Sequence, residues 1–315
     1  MYEALDGANW INSEGWRPGL SCDVPHQHRW HGTDCSGGAI TRLELLANNL
    51  QGTLPTELGL LANLRSLAIE SNPLLSGSIP TQLAALRELT FLSVHNSTRL
   101  SGTLPNELGS LDSLSYLSLH ECALSGTLPD NAVMWSNLRH FSMASNAISG
   151  YIPAPRALEH VGLLNIHSNR LSGTLPTEIG LLSTLHDRLY AHTNQLSGTL
   201  PSQVGLLTHV SLPALYGNWF SGTLPTELGK FDHLVFPALS YNRLSGTTPA
   251  ELGNWKSLQA RLDIASNNMA DTDGQAYIDA GIAQSNLPKT WFDHWARCDF
   301  KSDPRGRFRC SISAA

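Results

Sequence analysis

Nine glycines, Gly52, Gly77, Gly102, Gly126, Gly150, Gly173, Gly198, Gly222 and Gly246, recur at spacings of 25, 25, 24, 24, 23, 25, 24 and 24 residues. A period this short leaves each unit too few apolar residues to bury its own hydrophobic face. The units must stack on one another, which makes the chain an elongated array rather than one globular core.

The content of each unit says how it is wound. A Leu-x-Leu pair, as in Leu43 and Leu45 or Leu117 and Leu119, alternates with the two-residue period of a strand packed on one side. Three residues on comes an Asn at positions 48, 72, 146, 169, 194, 218, 242 and 267. An amide there can donate to and accept from adjacent coils where the chain turns. Glycine then permits a tight turn, Pro opens a short helical turn with Glu57, Glu107, Glu178, Glu227 or Glu251 near its start, and a second glycine such as Gly59 or Gly205 closes it. Ten strands are expected, near Leu43, Leu67, Leu92, Leu117, Phe141, Leu164, Leu189, Pro213, Pro237 and Leu262. The two prolines lack the N–H a ladder needs and predict shortened strands. Asn131–Trp135 and Tyr151–Arg156 depart from the helical-turn pattern and predict an irregular midpoint on that side.

The consensus L-x-x-L-x-L-x-x-N-x-L-S-G-T-L-P resembles the leucine-rich repeat, and the S-G-x-L-P segment resembles its plant-type subclass. The resemblance covers roughly residues 40 to 268. It implies an α/β fold, a right-handed leucine-rich repeat solenoid of about ten repeats with a parallel concave sheet and short convex helical turns. Residues 1–40, with Trp10, Trp16, Cys22 and the Trp30-His-Gly-Thr-Asp-Cys35 ending, look like the family's N-terminal cap; 41–268 are the repeats and 269–315 a C-terminal cap, helical over 270–284. Of five cysteines, Cys122 occupies an Asn position; the other four pair as Cys22 with Cys35 and Cys298 with Cys310, one bridge in each cap. Such bridges belong to an oxidising setting, secreted or cell-surface, with an organelle lumen as the alternative. A zinc site from Cys22, His26, His28, His31, Asp34 and Cys35 matches no standard spacing, so no metal and no cofactor is expected.

The net charge of −6 supplies no basic stripe for nucleic acid, and no apolar run approaches the ~20 residues of a membrane span. No nucleophile elbow, phosphate loop or carboxylate pair stands out from the repeat, so the chain does not read as an enzyme. Outward positions of the strands remain as candidates. Phe91 and Tyr116 precede the Leu-x-Leu pair, Tyr190 lies between its members, and His95, His120, His167, His192 and Tyr216 follow it. Trp219, Phe236 and Tyr241 fall nearby in repeats eight and nine. Aromatic rings in adjacent repeats suit a patch that binds a protein, peptide or glycan partner. By resemblance the function is then non-catalytic extracellular recognition. The alternatives are a structural subunit or spacer, or ice binding by the regularly spaced row Thr53, Thr103, Thr127, Thr174, Thr199, Thr223 and Thr247, which Ser78 and Tyr151 interrupt. Asn96-Ser97-Thr98 is a glycosylation sequon.

Overall fold

The computed structural model describes residues 1–16, 22, 30–129, 135–153, 160–185, 188–210, 212–231, 237–254, 262–270, 299–302 and 308–311. They fall into two units, Met1–Ile278 and Asp279–Ala315. In the second, strands Asp299–Ser302 and Phe308–Ser311 pair antiparallel with Phe300 opposite Cys310. Cys298 and all but the first residue of the expected helix over 270–284 lie outside the described residues.

The first unit is the expected solenoid. Its leucines form one continuous core from Leu5 to Leu262. The Leu-x-Leu segments make a nine-stranded sheet in which Thr33–Ser36 pairs antiparallel with Ala39–Glu44, and every later pairing, from Ser66–Ala68 to Leu212–Ala214, is parallel and in register. The hairpin strand Thr33–Ser36 thus covers what would be the open edge of the first coil. Cys35 within it is bonded to Cys22, as expected, so neither sulfur is available to a metal. The segment before the first coil packs by its indoles: Trp10 donates to the Leu5 carbonyl at 2.7 Å, and Trp16 lies 5.1 Å from Trp10 and 5.3 Å from Trp30.

The asparagines form the ladder their chemistry predicts. Asn218 donates to the carbonyls of Ala191 in the coil before and of Leu215 and Tyr216 in its own, and its Oδ1 accepts the Leu196 N–H at 3.1 Å. Asn72, Asn146, Asn169, Asn194, Asn242 and Asn267 repeat the arrangement. Two rungs differ. Ser97 holds the position in the third coil, too short to reach, and its buried hydroxyl has no partner. In the fourth, the Cys122 thiol, pushed up to about 11 by burial, donates to Val94 O at 3.2 Å.

Proline acts as predicted at one strand and later than predicted at the other. Pro213 sits inside strand Leu212–Ala214, paired with Arg188–Tyr190, whereas beyond it, among the described residues of this sheet, Ala238 and Asp263 are joined by isolated bridges rather than strands. The alternation of a parallel ladder explains this. Leu215 donates onward to Ala238, so an amide at Pro213, two residues earlier, would also donate onward; its carbonyl still accepts from Ala238. The lost bond belongs to the next coil, and the strand holding Pro213 keeps its pairing backward.

The helical turns are five-residue 3₁₀ helices, among them Thr56–Leu60, Thr81–Ala85, Asn106–Ser110, Thr177–Leu181, Ser202–Leu206 and Thr226–Lys230. Two expectations change here. Proline is not the first helical residue but the one before it, extended at ψ 142° in Pro201, and its carbonyl accepts the first turn's hydrogen bond from Val204. The second glycine does not close the turn; it lies within it. A Cβ on Gly205 would stand 2.4 Å from the Glu227 carbonyl of the next coil, so the position is small because two backbones touch there. Gly205→Ala should therefore cost about 1–3 kcal/mol as overpacking, read as a lower urea midpoint, while Ala at exposed Ser202 should change little. At the irregular midpoint Trp135 is 1% exposed and donates to Leu108 O at 2.8 Å; residues 130–134 and 154–159 lie outside the described set.

A second sheet was not expected. The Ser-Gly-Thr segments form their own ten-stranded parallel ladder, from Gly52–Thr53 to Asn268–Met269. Its serines reinforce it coil to coil, Ser76 Oγ donating to Gly52 O at 3.0 Å and Ser149 Oγ to Gly126 O at 3.0 Å. The glycine takes positive φ, 75° at Gly77, and gives its Cβ space to the Thr53 methyl of the previous coil. The threonine row stands exposed along this sheet.

Candidate functional site

With the leucines turned into the core, the other face of the first sheet is open, and parallel register sets its residues in rows. Neighbouring strands lie ~4.8 Å apart, close to ring-stacking distance, so rings in the same row of adjacent coils meet face to face.

Three clusters result. In the row before the Leu-x-Leu pair, Phe91 stacks on Tyr116 at 4.2 Å and Tyr116 on His140 at 4.1 Å. In the row after it, His95 stacks on His120 at 4.1 Å while Glu70 reaches His95 Nε2 at 3.1 Å. Farther along, His167, His192 and Tyr216 stack at 4.3 Å each, and Tyr190 stands edge-on to the two imidazoles at 6.3 and 6.1 Å. Arg188 places its guanidinium 5.8 Å from the Tyr190 ring. Ala144 replaces a ring between His120 and His167 and separates the second cluster from the third.

Stacking half-buries His120, His140, His167 and His192 and keeps them neutral. Burial first, then neighbouring histidines, lowers His120 to about 3 and His192 to about 2; burial lowers His167 to about 4, and burial followed by His95 lowers His140 to about 4. Burial works against ionisation of Glu70, but the His95 imidazole at 3.1 Å outweighs it and holds the carboxyl below its usual range. Burial, with Tyr190 and Asp263, pushes Tyr216 up to about 12. At neutral pH His120, His140, His167 and His192 are therefore uncharged. The Nδ1 atoms of His120, His167 and His192 lie against the hydroxyls of Ser118, Ser168 and Thr193. Among the described residues no three His, Cys, Asp or Glu side chains are grouped to hold a metal.

The structure brings together most of the positions singled out from sequence, but not all. Phe91, Tyr116, His95, His120, His167, Tyr190, His192 and Tyr216 share the open face. Trp219 instead belongs to the second sheet, in strand Trp219–Gly222, with the Arg243 guanidinium 5.4 Å from its ring. Tyr241 occupies the turn at φ 53° and is 66% exposed. Phe236 lies outside the described residues. His140 and Glu70 were overlooked although each sits in a row beside a chosen residue; adjacency along the row was the available signal. Asn96 is exposed on its turn, with Nδ2 3.4 Å from Ser71 Oγ.

No family model matches the chain, and no curated protein sequence matches it. Solved structures do. The plant peptide hormone receptor RGFR1, solved with RGF2, is 34% identical over 70% of this chain and 35% of its own, at a TM-score of 0.65. The leucine-rich repeat ectodomain of the Arabidopsis thaliana membrane receptor kinase GASSHO1/SCHENGEN3, solved with CASPARIAN STRIP INTEGRITY FACTOR 2, is 30% identical over 82% of this chain and 31% of its own, at 0.75. The chain thus spans about a third of the length of either. A plant ice-binding protein, 24% identical over 85% of this chain and 84% of its own at a TM-score of 0.70, shares the fold. In the described first unit no helix is long and apolar enough to cross a membrane. The chain is built as a leucine-rich repeat solenoid similar to those of plant receptor ectodomains.

Proposed function

We propose that the open face of the first sheet is a non-catalytic recognition surface, in an extracellular or cell-surface setting, for a protein or peptide segment. The observation that carries this reading is the stack of His167, His192 and Tyr216 with Tyr190 set against it. Rings already held by one another lose little further freedom when a partner covers them, and their neutrality removes the desolvation cost that charged side chains would impose. Two similar receptor structures were solved with the partners named above, which supports a peptide-sized ligand over a structural spacer. The Cys22–Cys35 bond supports an oxidising compartment, where Asn96 can carry a glycan.

A direct test immobilises the chain and exposes it to the extracellular fluid of its source, beside a Tyr190→Ala/Tyr216→Ala variant. The expected result is a partner retained by the parent and weakened at least tenfold in the variant, about 1.4 kcal/mol, at an unchanged melting temperature. Equal retention by both would remove this face from recognition. The exposed threonine row keeps ice binding as the second reading. Thermal hysteresis that survives the double variant and disappears on Thr174→Lys/Thr199→Lys would establish it instead.

A further inference from the structure

At the capped end of the open face lies a cavity of about 530 Å³, within the size range of small-molecule sites and outside the clusters used above apart from Phe91. Its lining includes Asp34, Arg42, Glu44, Arg65, Ser66 and Phe91. Phe91 ends its stack. One face of the ring rests on Tyr116, and on the other side the residue opposite in register is Ser66, which leaves that face uncovered by a ring. Across the cavity the Arg42 guanidinium is held between two carboxylates, 3.4 Å from Asp34 and 3.2 Å from Glu44.

The chemistry of the lining narrows the ligand. Two arginines and two acids cancel, so neither an anion nor a cation gains net attraction. The held Arg42 and Glu44 pair offers a donor and an acceptor side by side, which suits a group that both gives and takes hydrogen bonds. Vicinal hydroxyls do this; a peptide carboxylate or phosphate only accepts. The bare Phe91 face suits a flat, C–H-lined ring. We infer that this cavity is a subsite for a neutral sugar unit, with the pyranose C–H face on Phe91 and adjacent hydroxyls on Arg42 and Glu44. The site is separate from the Tyr190 and Tyr216 cluster and takes a different ligand class.

Titration calorimetry of the purified chain with cellohexaose, mannohexaose and xylohexaose, and with hexagalacturonate as the acidic comparator, tests it. At least one neutral hexamer should bind, with hexagalacturonate at least tenfold weaker. Ser66→Tyr, which lays a further ring over the Phe91 face without removing any packing, should weaken the neutral ligand at least tenfold at an unchanged melting temperature, and so should Arg42→Met. Tyr190→Ala/Tyr216→Ala should leave sugar affinity as it was, so a failure here and a failure of the protein-recognition reading are told apart. Absence of binding by all three neutral hexamers, equal binding of the acidic one, or full affinity in Ser66→Tyr each overturns the inference.

Discussion

Acidifying the protein from pH 7 to pH 5 should lower its resistance to urea by several kcal/mol. His120, His140, His167 and His192 have folded-state values of about 3, 4, 4 and 2, against 6.5 when free. Between those limits the unfolded chain holds a proton on each ring and the folded chain does not, so stability rises with pH in this window and falls as pH drops below about 6.5. The difference at pH 5 reaches about 2 kcal/mol per ring with full burial, and about half that for rings water partly reaches. Four such rings give roughly 4 kcal/mol, a large share of the about 5–15 kcal/mol that holds a domain folded. Glu70 works in the same direction: its lowered value stabilises the fold above its free value of 4.5, and this is lost as pH falls through the folded value. Urea midpoints at pH 7 and pH 5 measure the sum. His192→Phe, which keeps a ring in the stack and removes its proton, should flatten the slope by about a quarter; an identical slope would mean that the stacked imidazoles are not held neutral.

The largest single-residue loss should follow Asn218→Leu. The replacement keeps the branched shape of the amide but leaves the Leu196 N–H without its acceptor and takes one of two donors from each of the Ala191 and Leu215 carbonyls, which keep Asn194 and Asn242. An unpaired buried N–H costs about 1–3 kcal/mol and each lost bond to a carbonyl about 0.5–1.5 kcal/mol, so the variant should lose about 2–6 kcal/mol. Exposed Asn268→Ala, in the last strand of the second sheet, should change stability by less than about 0.5 kcal/mol. Equilibrium urea unfolding of both variants decides it; comparable losses would mean that the rung amides do not stabilise the stack.

The two experiments bear on what the residues disclosed in advance. The Leu-x-Leu alternation and the asparagines announced the first sheet and its rungs because each is a local pattern with one physical use. The second sheet stayed hidden because serine and glycine are poor strand formers alone, and Ser-Gly-Thr pairs only with its own copy about 24 residues away. Gly205 was misread for a related reason: what it avoids is a carbonyl of the following coil, invisible along one turn. On the open face the rows were legible, since register follows from the period. The proton affinities were not, because they depend on how deeply each imidazole sits between its neighbours. Trp219 was placed wrongly since its distance in sequence from Tyr216 conceals the corner between the two sheets.

Pro213 and Pro237 also decide how the rod comes apart. In the first sheet regular ladders join each turn of chain to the next from the second coil to the eighth, whereas among the described residues the ninth and tenth are tied there by single bridges and their amide rungs, and the second sheet alone runs on through both. Unzipping under tension or heat should begin at that seam, leaving the earlier coils and their stacked rings wound. Amide exchange at Leu239 should accordingly run ahead of that at Leu119, although both are buried leucines in equivalent places.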